Sequence, residues 1–557
     1  MADYVARFLQ LKKVPAVFEL SGGMIAFITD AIYRLRSPLI INVRHEQAAG
    51  FAAEGASRVS GNPSVALATS GPGATNLITA IGSAYFDSTP VVFITGQVNQ
   101  AELRANPQQR QNGFQELDIV QVVKSITKYA VQVHSAEDLI RELDHAWKFA
   151  LEGRPGPVLI DIPIDVQQMR IPTDVSTTSG GDFKEPDRLD PKNTSKAVDA
   201  ILKSAFPLIL VGGGVRSAGA VESFRQFAER AGIPVVFSLM GTDALSSDSK
   251  LRVGLIGSYG NRWANRALAK ADALLVLGSR LDVRQTGSSA DEFARGKTII
   301  RVDVDEHERT GRVKADINFS CSLESFLANE TVQNLKFDSA VFLSLIAGWK
   351  TEFPAINEQL VPVALNPNYI MDWISNAFSE VHGFVVDVGQ HQMWAAQSLK
   401  LAADQRFLTS GGMGAMGFSI PAAIGAACAS AGKWTVIAGD GCAQLAIAEL
   451  QTLKQYQLPV AVCVINNHQL GMVAQFQEEN MDSRFVATRE GYSVPDFLKV
   501  AGAFGIPGMK IESLDHLEAA KEFISQWESG PILLEFIVSN DAKALPKLDR
   551  NSKLSDL

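Results

Sequence analysis

The chain has 557 residues, 46% of them apolar and 20% charged, enough for about three or four soluble domains with ample core. Lys plus Arg total 51 against 60 Asp plus Glu, and the net charge of -9 is spread without long blocks, which argues against nucleic acid as a partner. No charge-free apolar stretch of about 18 residues occurs and Met1-Ala2-Asp3 opens no signal peptide, so no membrane association is expected and the expected compartment is the cytosol.

From the N-terminus, the runs PAVFEL, PLIINV, SVALATS, PVVFITG and PVLIDIP alternate with helical spacing over residues 1–168, the grammar of a doubly wound sheet. Glu46 follows PLIINV in RHEQAAGFAAEGASR, where Ala48, Ala49, Gly50, Ala52 and Ala53 permit a close-packed helix. A carboxylate at that helix start is either a solvated acid favoured by the helix dipole or a buried one with a raised pKa and a proton-transfer role. Residues 171–195 are polar and rich in Gly, Pro, Ser and Thr, and read as a surface linker.

A second unit, 196–335, repeats the α/β grammar with PLILVGGG, IPVVFSLMG, ADALLVLGSRLD and KTIIRVDVDE. Its Gly212-Gly213-Gly214 does not spell GxGxxG and serves equally as a turn with no ligand. A helix and the extended connector EQLVPVALNP lead to a third unit, 367–545, with GFVVDVGQ, TVIAGDG, PVAVCVINN and PILLEFIV. The first and third units look alike in coarse organisation, as a chain with one site between two similar domains would. Cys321, Cys428, Cys442 and Cys463 fall in apolar surroundings without metal-site spacing and read as free thiols.

Asp440 and Asn467 stand at the C-terminal ends of two strand-like runs, where open α/β sheets put ligands. They are 27 positions apart, room for one helical crossover. Ordinary turn residues would account for them. The alternative is a carboxylate and an amide oxygen converging as hard ligands for a Mg²⁺ that itself holds a diphosphate.

The GDG and NN segments at this spacing, with RHEQAAGFAAEGASR, TSGPGATN, VGQHQMWAAQ and SGGMGAMGFSIPAAIGA, resemble the thiamine-diphosphate enzymes, and among them the acetolactate synthase group, over about residues 4–540. The resemblance implies an α/β protein of three doubly wound parallel-sheet domains in the thiamine-diphosphate-binding fold. These are a pyrimidine-binding domain at 1–168, a central domain at 196–335 that holds FAD, and a diphosphate- and Mg²⁺-binding domain at 367–545. It implies that the side chains of Asp440 and Asn467 and the carbonyl of Gln469 hold the metal. Glu46 would hydrogen-bond the aminopyrimidine and so activate the coenzyme.

By the same resemblance Pro72, Asn76, Gln390, His391, Gly414, Gly441, Cys442, Gly471 and Met472 border the coenzyme, and Met416 is the wedge that keeps its rings folded together. Gly22 approaches the reacting carbon, and Phe114 borders the donor pocket with Gln115 as a polar neighbour. Arg154, Gly213, Met240, Arg280 and Asp303 match flavin contacts, and Phe114, Ile164, Arg284, Met472 and Phe476 face substrate. The implied activity decarboxylates pyruvate or a related 2-keto acid and passes the two-carbon acyl unit to a carbonyl acceptor. The implied assembly is a homodimer or homotetramer with sites at the dimer interface.

Three departures fall mostly on the acceptor side. Ile164, in DIPIDVQ, stands where a substrate-channel lysine is expected; Phe476 replaces a tryptophan; and Val283 replaces an acid. The tail KALPKLDRNSKLSDL also lacks an apolar closing segment. These leave the acceptor open among pyruvate, a bulkier ketone such as a nucleotide keto sugar, and the reverse sense of the chemistry, cleavage of a diketone. A non-catalytic flavin- or nucleotide-binding protein of the same fold is the reading from a different class.

Overall fold

The computed structural model describes residues 1–106, 108–171, 187–358 and 366–548. Most of the connector EQLVPVALNP, the greater part of the 171–195 linker and the last residues of the tail therefore lie outside the described residues. Three six-stranded parallel sheets follow one another along the chain. The first holds β1 (Ala16–Leu20), β2 (Leu39–Asn42), β3 (Ser64–Ala68), β4 (Val91–Gln97), β5 (Tyr129–Gln132) and β6 (Val158–Pro163). The second holds β7 (Pro207–Val211), β8 (Val235–Phe237), β9 (Arg252–Leu255), β10 (Ala273–Leu277), β11 (Thr298–Asp303) and β12 (Ile317–Ser320). The third holds β13 (Gly383–Val386), β14 (Arg406–Thr409), β15 (Trp434–Gly439), β16 (Val460–Asn466), β17 (Gly508–Ile511) and β18 (Ile532–Ile537).

The first sheet runs β2-β1-β3-β4-β6-β5 and the third β14-β13-β15-β16-β18-β17, the same order. The middle sheet runs β12-β11-β10-β7-β8-β9, the order of a dinucleotide fold. The likeness of the first and third units is thus a likeness of topology. Central strands such as β15 and β16 are buried along their whole length, which is why they read as near-continuous apolar runs.

The helix Glu46–Ser60 of the first unit packs directly on the helix Ser419–Ala429 of the third. A Cβ on Gly55 would fall 2.1 Å from the carbonyl oxygen of Ala422, and one on Gly425 would fall 1.7 Å from that of Ala52, so the two backbones are in contact. Around them one apolar core joins both units, with Phe51 edge-on to Phe418 at 5.4 Å. Buried charges lock the same seam. Arg58 bridges Glu54 and Asp87, and Asp87 accepts the amides of Gly411 and Gly412 at 2.9 and 2.6 Å. Among the described residues no helix is long and apolar enough to cross a membrane.

Candidate active site

β15 and β16 pair in parallel with Gly439 opposite Ile465, so Asp440 and Asn467 leave neighbouring strands side by side. Asp440 opens the helix Asp440–Leu445 and is only 2% exposed. Its Oδ1 accepts the Gly441 amide at 2.8 Å, while Oδ2 is buried without a hydrogen-bond partner. Burial pushes this carboxyl up to about 6. The Tyr492 hydroxyl and the amides of His468 and Gln469 offset that burial only in part, so the oxygen stays under-satisfied unless something outside the chain meets it, as a cation does. Asn467 is buried, and its Nδ2 donates to Gln390 Oε1 at 3.1 Å. The Gln469 side chain is engaged with Asn540 and Arg489, so the side chain itself is not available to a ligand at this corner.

After β13, Gln390 and His391 open the helix Gln390–Ser398, and both are buried. His391 Nε2 accepts the Gly439 amide at 3.2 Å, and burial holds the imidazole down at about 4. At neutral pH it is an uncharged acceptor, not a cation for phosphate. Gly471 is glycine because a Cβ there would sit 2.0 Å from Gln390 Oε1 and 2.7 Å from Asn467 Nδ2, wedging the two amides apart. Gly414 has φ +67, which only glycine adopts at no steric cost. The half-buried Met416 brings its Cε within 3.4 Å of where a Gly441 Cβ would be, and Cys442 Sγ donates to the Val388 carbonyl. Met472 is half-buried at the start of the helix Gly471–Asn480.

In the first unit His45 caps the helix, and Glu46 is its first residue, 7% exposed. Asn76 Nδ2 donates to Glu46 Oε2 at 2.9 Å from the short helix Pro72–Asn76 after β3. Glu46 is thus buried rather than solvated, and it stands against Asn76 of the helix Pro72–Asn76. Gly22 follows β1 and has a reason of its own: a Cβ there would meet the Thr69 side chain at 2.4 Å. Gln115 has φ +65 and packs against Gly71, and the neighbouring Phe114 is 80% exposed. The loop that carries them is held by Glu116. Despite burial, the backbone amides of Arg104, Asn112 and Gly113 keep its carboxyl below the usual range.

Among the described contacts, the hydrogen-bond partners of Glu46 all belong to the first unit and those of Asp440 to the third. Ile164 is half-buried at the start of the helix Ile164–Gln168, and Phe476 is 45% exposed on Gly471–Asn480. Arg284 lies elsewhere, in a cleft of about 480 Å³ beside the middle sheet that also gathers Arg154, Gly213, Met240, Arg280 and Asp303. Arg154 is tied there to Asp305 and Glu308 at 3.1 and 3.0 Å.

Sequence reasoning missed Glu116, Tyr492 and Gln475. The Tyr492 hydroxyl sits over Gly441, accepts from Gln444 at 3.1 Å and is raised by burial and by Asp440. Nothing in the sequence marks a lone tyrosine in that loop.

Known proteins bear on this geometry. The chain is 34% identical over 578 residues to the acetolactate synthase large subunit of Corynebacterium glutamicum, an alignment covering 100% of this chain and 89% of that protein. It is 36% identical to acetolactate synthase 2, chloroplastic, of Nicotiana tabacum, covering 100% of this chain and 84% of the other, and 35% identical to acetolactate synthase of Mycobacterium bovis, covering 98% and 89%. Three models of the thiamine pyrophosphate enzymes match in turn: the N-terminal TPP binding domain on residues 1–122, the central domain on 194–329 and the C-terminal TPP binding domain on 387–536. The chain belongs to the thiamine pyrophosphate enzymes. Within that family it resembles the acetolactate synthase large subunits, and it is an enzyme that uses thiamine diphosphate with Mg²⁺ for decarboxylation and carboligation. The chain's own residues fit the metal, since Asp440 Oδ2 is a buried, unpartnered hard donor with the Asn467 amide beside it.

Proposed function

We propose that this is a cytosolic carboligase that decarboxylates pyruvate, or a closely related 2-keto acid, and transfers the two-carbon acyl unit to a carbonyl acceptor. Bound thiamine diphosphate supplies the carbanion chemistry, and the protein binds and orients it. Asp440, Asn467 and the Gln469 carbonyl would hold Mg²⁺ and through it the diphosphate. The observation that carries the reading is the unpartnered Oδ2 of buried Asp440 next to Asn467 at the ends of paired strands.

Glu46 is the proposed activating carboxylate: buried, braced by Asn76, and close enough to Gly73 that a Cβ there would sit 3.2 Å from its Oε1. Met416 would hold the two coenzyme rings folded, a proximity effect. The first unit of one chain and the third unit of a second would share each site, which makes a dimer the smallest active assembly and allows a dimer of dimers. The cleft around Arg154, Gly213, Met240, Arg280 and Asp303 is the proposed FAD site, and the flavin there would be structural, because joining two keto acids moves no net electrons.

The family match at Phe114 supports pyruvate as donor, while Arg284 lies in the cleft proposed for FAD. Ile164 and Phe476 favour a second reading of the acceptor, a ketone bulkier than pyruvate such as a nucleotide keto sugar. A missing lysine removes an attraction for a second carboxylate, and the smaller ring leaves room. Diketone cleavage uses the same donor half in the opposite sense. The test is incubation with thiamine diphosphate, Mg²⁺ and pyruvate plus a panel of keto acids, keto sugars and diketones, with CO₂ and products identified. Acceptor-dependent CO₂ release with a ligated product is expected, and no turnover with any of them despite bound coenzyme would overturn the proposal. A flavin absorbance band after reconstitution with FAD is expected in parallel.

A further inference from the structure

An amide side chain can serve as a metal ligand only with its oxygen turned to the metal, and its two ends are nearly the same size. Something must therefore fix which end faces where. For Asn467 the structure supplies a chain of constraints that ends on backbone atoms, which cannot flip. Between Asn540 and Leu548 the chain runs back over the helix Gly471–Asn480. Along that strap the Ala544 amide donates to Gln475 Oε1 at 2.9 Å, and Gln475 Nε2 donates to the Ala544 carbonyl at 3.3 Å and to Glu479 at 3.4 Å. The orientation of Gln475 is thereby set.

Gln475 Oε1 then accepts from Gln390 Nε2 at 3.1 Å, and that same nitrogen donates to the Ala542 carbonyl at 3.2 Å, so Gln390 must turn its oxygen the other way. Gln390 Oε1 accepts from Asn467 Nδ2 at 3.1 Å. The nitrogen end of Asn467 is used, and its oxygen is the free end. All three side chains are buried, and Gly471 lets two of them meet. Reversing any one would set two oxygens or two N–H groups against each other in the interior, a costly mismatch.

We propose that Gln475, through Gln390, is a positioning residue that orients the Asn467 oxygen for Mg²⁺, with the C-terminal strap as the fixed end of the relay. The inference rests on the metal site proposed above and extends it to a residue that touches neither metal nor coenzyme. Outer partners of this kind typically account for about 10- to 100-fold in metal affinity.

The test is Mg²⁺ titration of the full-length protein in the presence of thiamine diphosphate, followed by calorimetry, with thermal unfolding of the metal-free protein as the check on folding. Gln475→Met keeps the volume and removes the relay; its Mg²⁺ affinity is expected to fall about tenfold. In an Asn467→Asp background both terminal atoms are oxygens, orientation no longer matters, and the same substitution is expected to change affinity less than about twofold. Should Gln475→Met not fold, Gln475→Leu is carried through the same two backgrounds with the same expectation. An unchanged affinity in the parent, or an equal loss in both backgrounds, overturns the relay. Asp440→Ala separates this from the site itself: if it leaves Mg²⁺ affinity intact, the metal reading fails, whereas its loss together with an inert Gln475→Met refutes the relay alone.

Discussion

The first and third sheets are built on one strand order, yet the buried carboxylates that follow their strands are finished in opposite ways. At the first, the buried carboxylate of Glu46 is already braced by a donor from its own unit, Asn76. At the third, Asp440 keeps an oxygen with no donor within hydrogen-bond distance, and the nearby Asn467, Gln390 and Gln475 are amides that turn one another. The same frame thus yields one carboxylate braced by a donor of its own unit and one with an oxygen left unpartnered. What decides is the local supply of donors, not the fold.

Removing the first carboxylate tests that contrast most severely. Glu46→Gln is expected to lower turnover by about 10²- to 10⁴-fold, the range of general acid–base effects, with only a modest loss of thiamine diphosphate affinity. Unchanged turnover would take Glu46 out of the role. A second test uses acid on cofactor-free protein. His391 stands at about 4 against an ordinary 6.5, so between those values the unfolded chain binds a proton that the folded one does not. Stability is then full above the upper value and falls as pH drops toward the lower, by about 3 kcal/mol in all. Urea unfolding of the parent and of His391→Gln across this window should show the loss in the parent and its relief in the variant.

The seam between the two units is the next point to strain. Gly425→Ala forces a methyl toward the Ala52 carbonyl and is expected to cost about 2 kcal/mol in thermal or urea unfolding, as overpacking does. A neutral result would mean that the two helices separate freely. Smallest is the acceptor side. Phe476→Trp and Ile164→Lys should shift product ratios toward small keto acids by roughly fivefold, about 1 kcal/mol, read by product analysis with mixed acceptors.

Much of this was visible in the residue order, and the parts that were not share a physical cause. Every central strand announced itself as a buried β-branched run, but β5, β9, β12, β14 and β17 had no such signal. Each lies at the edge of its sheet, short and partly exposed. Asp440, Asn467 and Glu46 were legible because glycine-bounded strand ends and a family pattern frame them. Gln475 was not: a glutamine inside a helix looks the same whether it faces water or orients a neighbour, and its meaning comes from the Ala544 backbone 69 positions away. Glu116 was hidden for a related reason, since its partners are amides of a loop without regular structure.

Mixing two impaired proteins asks directly whether one site draws on two chains. Glu46→Gln and Asp440→Ala, each strongly impaired alone, are co-expressed or dissociated and reassembled, and turnover is measured. Sites shared across a dimer leave every mixed pair with one site intact, and roughly a quarter of parental activity returns. If each chain closes its own site, mixing restores nothing.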